Sequence, residues 1–213
     1  MLKNRRVPEA TLIDLPATGE VRAVALVLHG GREHSFDAAG AGQPAALRMR
    51  PFARAIHRRG AARGVEVSSL IHRYRGWNEP EESPVVDARW ALDELRERHG
   101  AVPVVLVGHS MGGRTAVAVA DDESVVGVVA LAPWLTPHDP INSLIGKRTL
   151  IAHGNLDFVT NPRYSRRYAD RAREAGANVT YRVVRGDSHA MLYRATTWHR
   201  LAARTTLDFL GLA

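Results

Sequence analysis

Residues 104–113 read Val104-Val105-Leu106-Val107-Gly108-His109-Ser110-Met111-Gly112-Gly113. A short apolar run ends in a serine set between two glycines, and a small-residue segment with helical spacing, Met111–Ala120, follows. This is G-x-S-x-G between a strand and a helix, the setting the pattern needs to carry chemistry. The turn must be sharp enough to hold the serine above a sheet in a strained conformation. Side chains two positions to either side would collide there, so glycine is required at 108 and 112. With 18 glycines and 9 serines in 213 residues, the pattern arises by accident about 0.06 times.

Outward from this turn, the chain alternates between two periodicities. Ala23–Leu28, Val125–Leu131 and Thr149–Ala152 join Val104–Val107 as apolar runs on consecutive positions, bounded by Gly or Pro. Such runs fit strands buried on both faces, as in a parallel sheet. Val65–Ile71 and Val179–Val184 are weaker candidates, and Thr11–Leu15 is a candidate edge strand. Between them lie helical patterns. Ser83–His99 has Ser83 as its expected cap, Pro84 at the first helical position, and Val86, Trp90, Leu92 and Leu95 as its apolar set. Asn161–Ala175 opens with Asn-Pro and closes before Gly176; Met191–Leu210 is the last helix. Alternating strands and helices predict an α/β fold, a mostly parallel central sheet with helices on both faces. No repeat or linker divides residues 1–213, so a single domain is expected.

A nucleophilic serine needs a base, and the base needs an orienting acid. The run Thr149–Ala152 leads into His153-Gly154-Asn155-Leu156-Asp157, and Tyr181–Val184 leads into Gly186-Asp187-Ser188-His189. Both segments follow strands, at the sheet edge where sites of open α/β sheets gather. Asp157 is therefore the expected acid, with Asp139 as its competitor, and His189 the expected base. His199 falls inside the last helix, a poor place for a base. Backbone N–H donors for an oxyanion are expected from Met111, at a helix N-terminus, and from Gly31 in His29-Gly30-Gly31-Arg32, with Arg32 as the fallback.

Taken together, His29-Gly30-Gly31, Gly108-His109-Ser110-Met111-Gly112-Gly113, His153-Gly154-Asn155-Leu156-Asp157 and Gly186-Asp187-Ser188-His189 resemble the α/β-hydrolase fold family. Arg75-Gly76-Trp77-Asn78 looks like the Arg-Gly loop that often follows the next strand in that family. The resemblance spans residues 23–210. It implies an eight-stranded sheet minus any trimmed edge strands, a Ser–His–Asp triad, and no metal or organic cofactor. Many members insert a lid after the strand that follows the nucleophile helix. Here that interval, Pro133 to Gly146, has 14 residues and holds Pro133, Pro137 and Pro140. No folded cap fits, so the resemblance points to a small lidless esterase or thioesterase.

Composition narrows the chemistry further. Without cysteine there is no disulfide, thiolate metal site or cysteine nucleophile. The ten histidines include no H-E-x-x-H, and no metal site is expected. The formal net charge is +7, and 27 of the 29 cations are arginine, since only Lys3 and Lys147 are lysine. The dense stretches Arg54–Arg63 and Arg163–Arg173 are broken by apolar residues at helical spacing, as solvated helix faces are. No specific nucleic-acid partner is expected. Residues 1–20 lack a signal-peptide core and no run reaches about 18 apolar residues, so a cytoplasmic protein with no membrane partner is expected.

Arg32, Trp77 and Trp134 are candidate substrate-binding residues. Arg73, Arg75 and Arg114 belong near the same mouth, where solvation is the simpler reading of an arginine and core packing an equal reading of a tryptophan. His29, His109 and His153 read as packed or hydrogen-bonded turn residues rather than catalysts. The expected activity is hydrolysis of a small-molecule ester or thioester through an acyl-enzyme. A peptidase or amidase, a C–C or lactone hydrolase, and a non-catalytic receptor on the same fold remain open.

Overall fold

A computed structural model describes residues 8–136 and 138–213. The N-terminal stretch expected to lack a signal core falls partly on residues 1–7, outside the described residues, as does Pro137. Among the described residues seven strands form one sheet: β1 (Thr11–Leu15), β2 (Ala23–Leu28), β3 (Val65–Ile71), β4 (Val104–His109), β5 (Val125–Leu131), β6 (Arg148–Gly154) and β7 (Asn178–Val184). Their order is β1-β3-β2-β4-β5-β6-β7. Strand β1 is antiparallel to β3, and all other neighbours are parallel. The parallel strands therefore end together at one edge. The chain runs from β2 outward to β3 and then crosses back to β4, so the ends of β2 and β4 flank the switch point where open α/β sheets bind ligands.

Alternation along the strands builds a core on each face. Val24, Leu26 and Leu28 of β2, with Leu106 of β4 and Val128 of β5, pack beneath α2 (Ser83–His99), α3 (Met111–Ala118) and α4 (Pro162–Glu174). The intervening Ala25, Val27, Val105, Val107 and Val129 face α1 (Pro44–Gly60) and α5 (Ala195–Phe209). Both faces are covered, which is why these strands read as continuous apolar runs. Between β5 and β6 the described residues hold one 3-10 turn, Asn142–Leu144, and no cap.

Several boundaries differ from the sequence reading. Helix α1 was legible only in part, as the Arg54–Arg63 pattern. Its buried residues include Ala46, Met49, Phe52, Ala53 and Ile56, and alanines give a weak apolar signal. Ser83 does not cap α2 but is its first residue. Glu82 precedes it with a left-handed backbone, φ 45°, and no side chain caps the helix. The buried face of α2 is Pro84, Asp87, Ala88, Ala91, Leu92 and Leu95, while Val86 and Trp90 point outward. The large apolar residues misled the phase, because close packing on the sheet selects alanine. Helix α5 starts at Ala195 instead of Met191, since Met191 has φ 55° and cannot belong to a right-handed helix.

Candidate active site

The turn after β4 is as sharp as the glycines require. Ser110 has φ 55° and ψ −118°, a region a serine occupies only when its surroundings enforce it. A Cβ at position 108 would lie 2.1 Å from the Gly112 carbonyl oxygen, and one at 112 would lie 2.3 Å from that of Leu28. Three N–H groups donate to the Ser110 carbonyl, Gly113 and Trp134 at 3.0 Å and Arg114 at 3.2 Å. The serine side chain is thus held over the end of the sheet by backbone alone.

The sheet edge brings His189 and Asp157 to it. His189 Nε2 is 3.0 Å from Ser110 Oγ, and His189 Nδ1 is 2.9 Å from Asp157 Oδ2. The Asp157 side chain is fully buried and well supplied with donors. Its Oδ1 accepts from the N–H groups of Val159 at 2.8 Å and Thr160 at 2.9 Å. Its Oδ2 accepts from the Thr160 hydroxyl at 3.0 Å as well as from His189. Burial opposes its ionisation, but the bonds from His153, His189 and Thr160 outweigh it and hold the carboxyl well below the usual range. The competitor, Asp139, lies elsewhere: it pairs with Arg114 at 2.9 Å and accepts from the Thr136 N–H at 2.8 Å.

Two histidines read as turn residues lie close to this line. His153 Nε2 is 3.0 Å from Asp157 Oδ2, and its Nδ1 is 3.0 Å from the Ser165 hydroxyl on α4. It therefore ties the acid to the helix beneath it, a contact whose only trace in the sequence is the four-residue spacing to Asp157. His109 lies beside His189, ring centroids 4.7 Å apart, and donates from Nε2 to the His189 carbonyl at 3.0 Å. Burial first, then the charges near it, lowers its pKa to about 3, so it stays neutral. His29 is likewise lowered to about 3 by burial and donates from Nδ1 to the Gly30 carbonyl at 2.7 Å. Sequence reasoning passed over Asp187. It is buried and accepts from the N–H groups of Ser188 and Arg194, both at 2.7 Å, and from Trp198 Nε1 at 2.9 Å, so it shapes the loop that carries His189.

The loop after β2 crosses this same end of the sheet. A Cβ at Gly30 would lie 3.2 Å from Ser110 Cβ, and one at Gly31 would lie 2.4 Å from both Met111 Sδ and the Arg75 carbonyl oxygen. Among the described residues the N–H groups of Gly31 and Met111 have no acceptor, whereas that of Arg32 donates to the Arg75 carbonyl at 2.8 Å. The fallback donor is therefore already occupied. The Arg75–Asn78 loop supports this arrangement: Trp77 N–H donates to the Arg32 carbonyl at 2.9 Å, and Asn78 Oδ1 accepts from Ser35 N–H at 2.8 Å.

The proposed pocket residues fall into two groups. Trp77 and Trp134 meet edge to face with centroids 6.2 Å apart, and the Arg114 guanidinium lies 4.3 Å and 4.7 Å from their ring centres. They line a cavity of about 510 Å³ with Glu33, His34 and Glu79. Arg32 is exposed and is not part of that lining. Arg73 and Arg75 are engaged, with Asp87 at 2.5 Å and the Ala38 carbonyl at 3.0 Å.

The model of the serine aminopeptidase, S33 hydrolase family matches residues 19–148, more than half of the chain. The chain belongs to this family. It is an α/β-fold serine hydrolase. No curated protein matches its sequence. Among solved structures, an alpha-beta serine hydrolase homologue from Coxiella burnetii is 17% identical with a TM-score of 0.71, covering 93% of this chain and 92% of that one. A thermophilic esterase from Thermogutta terrifontis, with butyrate bound, is 17% identical with a TM-score of 0.69, covering 95% and 90%. A monoacylglycerol lipase from Paleococcus ferrophilus is 17% identical with a TM-score of 0.67, covering 94% and 99%. At these identities the likeness is one of fold. Among the described residues of this hydrolase, no helix is long and apolar enough to cross a membrane.

Proposed function

We propose that this hydrolase cleaves carboxylic esters or thioesters of small molecules through an acyl-enzyme. The observation that carries the reading is the hydrogen-bond line from Ser110 Oγ through His189 to Asp157, beside two N–H groups with no acceptor among the described residues. Ser110 Oγ attacks the carbonyl carbon while His189 Nε2 accepts its proton. Asp157 keeps the Nδ1–H tautomer and stabilises the imidazolium. The N–H groups of Gly31 and Met111 receive the oxyanion, whose charge develops as the tetrahedral intermediate forms. His189 then protonates the leaving oxygen or sulfur, and the carbon–heteroatom bond breaks. Water, deprotonated by His189, attacks the acyl-enzyme; the acyl–Oγ bond breaks, His189 returns the proton to Ser110 Oγ, and the acid is released. The absence of a cap among the described residues and the butyrate held by the Thermogutta esterase support small esters as substrates.

Hydrolysis of p-nitrophenyl esters from acetyl to dodecanoyl tests this, with Ser110→Ala in parallel. We expect turnover by wild type, none by the variant, and fluorophosphonate labelling of wild type alone. Equal turnover by a folded Ser110→Ala protein would overturn the assignment. The family match favours a second reading, aminopeptidase activity with the same residues. Release of p-nitroaniline from aminoacyl p-nitroanilides, exceeding ester turnover at equal concentration, would select it.

A further inference from the structure

Next to His189 lies an apolar groove that the reaction steps above leave unused. It runs between the first turns of α1 and residues 191–199, encloses about 460 Å³, and is lined chiefly by Leu47, Arg48, Phe52, Met191, Leu192 and His199. Both walls are joined to the site through the chain. Met191 and Leu192 follow His189, and the Met191 N–H donates to the Ser188 carbonyl at 3.1 Å. On the other wall Pro44 follows Gln43, whose Nε2 lies 3.4 Å from a ring nitrogen of His29, just before Gly30-Gly31. Leu47 and Leu192 are 41% and 56% exposed, so the groove opens to solvent with its apolar sides uncovered.

One member of this lining is out of place in an apolar setting. Arg48 is half-buried, and makes no hydrogen bond or ion pair among the described residues. Helix α1 has no acidic residue, and the groove lining contains no carboxylate. Partial burial of a guanidinium without a counter-charge is unfavourable. Its charge reaches His109 and His199, adding to the burial that lowers the pKa of both rings. The groove thus presents apolar walls and one unneutralised cation, the complement of a short aliphatic segment that ends in an anion.

Reaction geometry decides which part of an ester this would be. His189 Nε2 must reach the leaving oxygen to protonate it, so the alcohol portion extends toward the His189 side, and Met191 and Leu192, two and three residues on, wall the groove. We propose that the groove binds the leaving alcohol and that Arg48 pairs with an anionic group on it, making esters of short carboxylate-bearing alcohols the substrate class. Hydrolysis then transfers the acyl group to Ser110, and the hydroxy acid departs with the proton from His189. This inference rests on the serine hydrolase reading above.

The test compares butyryl esters that differ only in the alcohol, hexyl butyrate and 6-(butyryloxy)hexanoate, with the released alcohol measured by chromatography. Wild type should favour the anionic ester in kcat/KM by about ten-fold, the worth of one charge-assisted hydrogen bond. Arg48→Gln should bring that ratio to about one. Arg54→Gln, which removes the same charge from the same helix outside the groove, should keep it. A wild-type ratio near one, or a ratio unchanged in Arg48→Gln, overturns the inference while leaving Ser110-dependent hydrolysis intact. Should Ser110→Ala still turn over hexyl butyrate, the hydrolase reading itself falls. The groove is then judged by calorimetric titration with sodium hexanoate: binding lost in Arg48→Gln supports it, and equal or absent binding in both proteins overturns it.

Discussion

Replacing Asp157 by asparagine changes one atom and should disable the site through a tautomer. Two backbone N–H groups, from Val159 and Thr160, aim at Oδ1, so the asparagine oxygen must take that position. Its NH2 group then replaces Oδ2 and faces His189 Nδ1 and His153 Nε2. His153 can adapt, because its other nitrogen meets a hydroxyl, on Ser165, that both donates and accepts. His189 cannot adapt without loss. With Nδ1 forced to accept, its proton moves to Nε2, which then donates to Ser110 Oγ where it must accept. The same substitution in the Ser-His-Asp template costs about 10,000-fold in kcat, and about 1,000- to 10,000-fold is expected here. Because most partners re-form, stability should fall by only about 1–2 kcal/mol, or about 2–8 °C in Tm. Steady-state hydrolysis of p-nitrophenyl butyrate and a thermal melt measure both quantities. A folded variant that keeps kcat within ten-fold of wild type would refute Asp157 as the orienting acid.

Other outcomes follow from the same contacts. Gly31→Ala places a Cβ 2.4 Å from a backbone oxygen and from Met111 Sδ, so the loop must shift; kcat should fall about 100-fold with a smaller change in KM, read by steady-state kinetics. His153→Phe removes a bond to the buried carboxylate and leaves the Ser165 hydroxyl only the Pro133 carbonyl at 3.5 Å; urea unfolding should show a loss of about 2–4 kcal/mol, whereas a loss under 0.5 would contradict the bridge. Neutral His29 and His109, with pKa values near 3, bind protons only once unfolded. Their contribution is complete above pH 6.5 and is lost as pH falls below it, by up to about 2–3 kcal/mol per pH unit together. Asp157, also depressed, adds its own loss only below about pH 4. Melts from pH 8 to pH 4 should therefore show Tm falling well before carboxylates titrate, and a flat profile down to pH 4.5 would be inconsistent with the buried neutral rings.

How much was legible depended on how local the cause was. The strands were readable because burial on both faces demands consecutive apolar residues, and Ala23–Leu28, Val65–Ile71 and Val125–Leu131 agree with the structure at both ends. Ser110 was readable because the steric demands of its turn act within five residues. The face of α2 was misread because Val86 and Trp90 outweigh Ala88 and Ala91 on any hydropathy scale, yet the sheet accepts only the alanines at close range. The role of Asp187 was illegible for a similar reason. Its partners Arg194 and Trp198 lie seven and eleven residues on, across a turn set by the left-handed Met191.

Local sequence determined the α/β class and the serine turn, since each is written in contacts between near neighbours. Tertiary structure alone decided which side chains converge. Ser110 and His189 are 79 residues apart, and Asp157 and His189 are 32 apart. Only the parallel sheet, ending its strands at one edge, brings them within hydrogen-bond distance. It also put Asp157 rather than Asp139 against His189, gave His153 a partner in Asp157, and, among the described residues, left Gly31 rather than Arg32 with a free N–H and Arg48 without an ion pair. Those outcomes depend on which groups are already satisfied by distant residues, and a linear sequence does not record that.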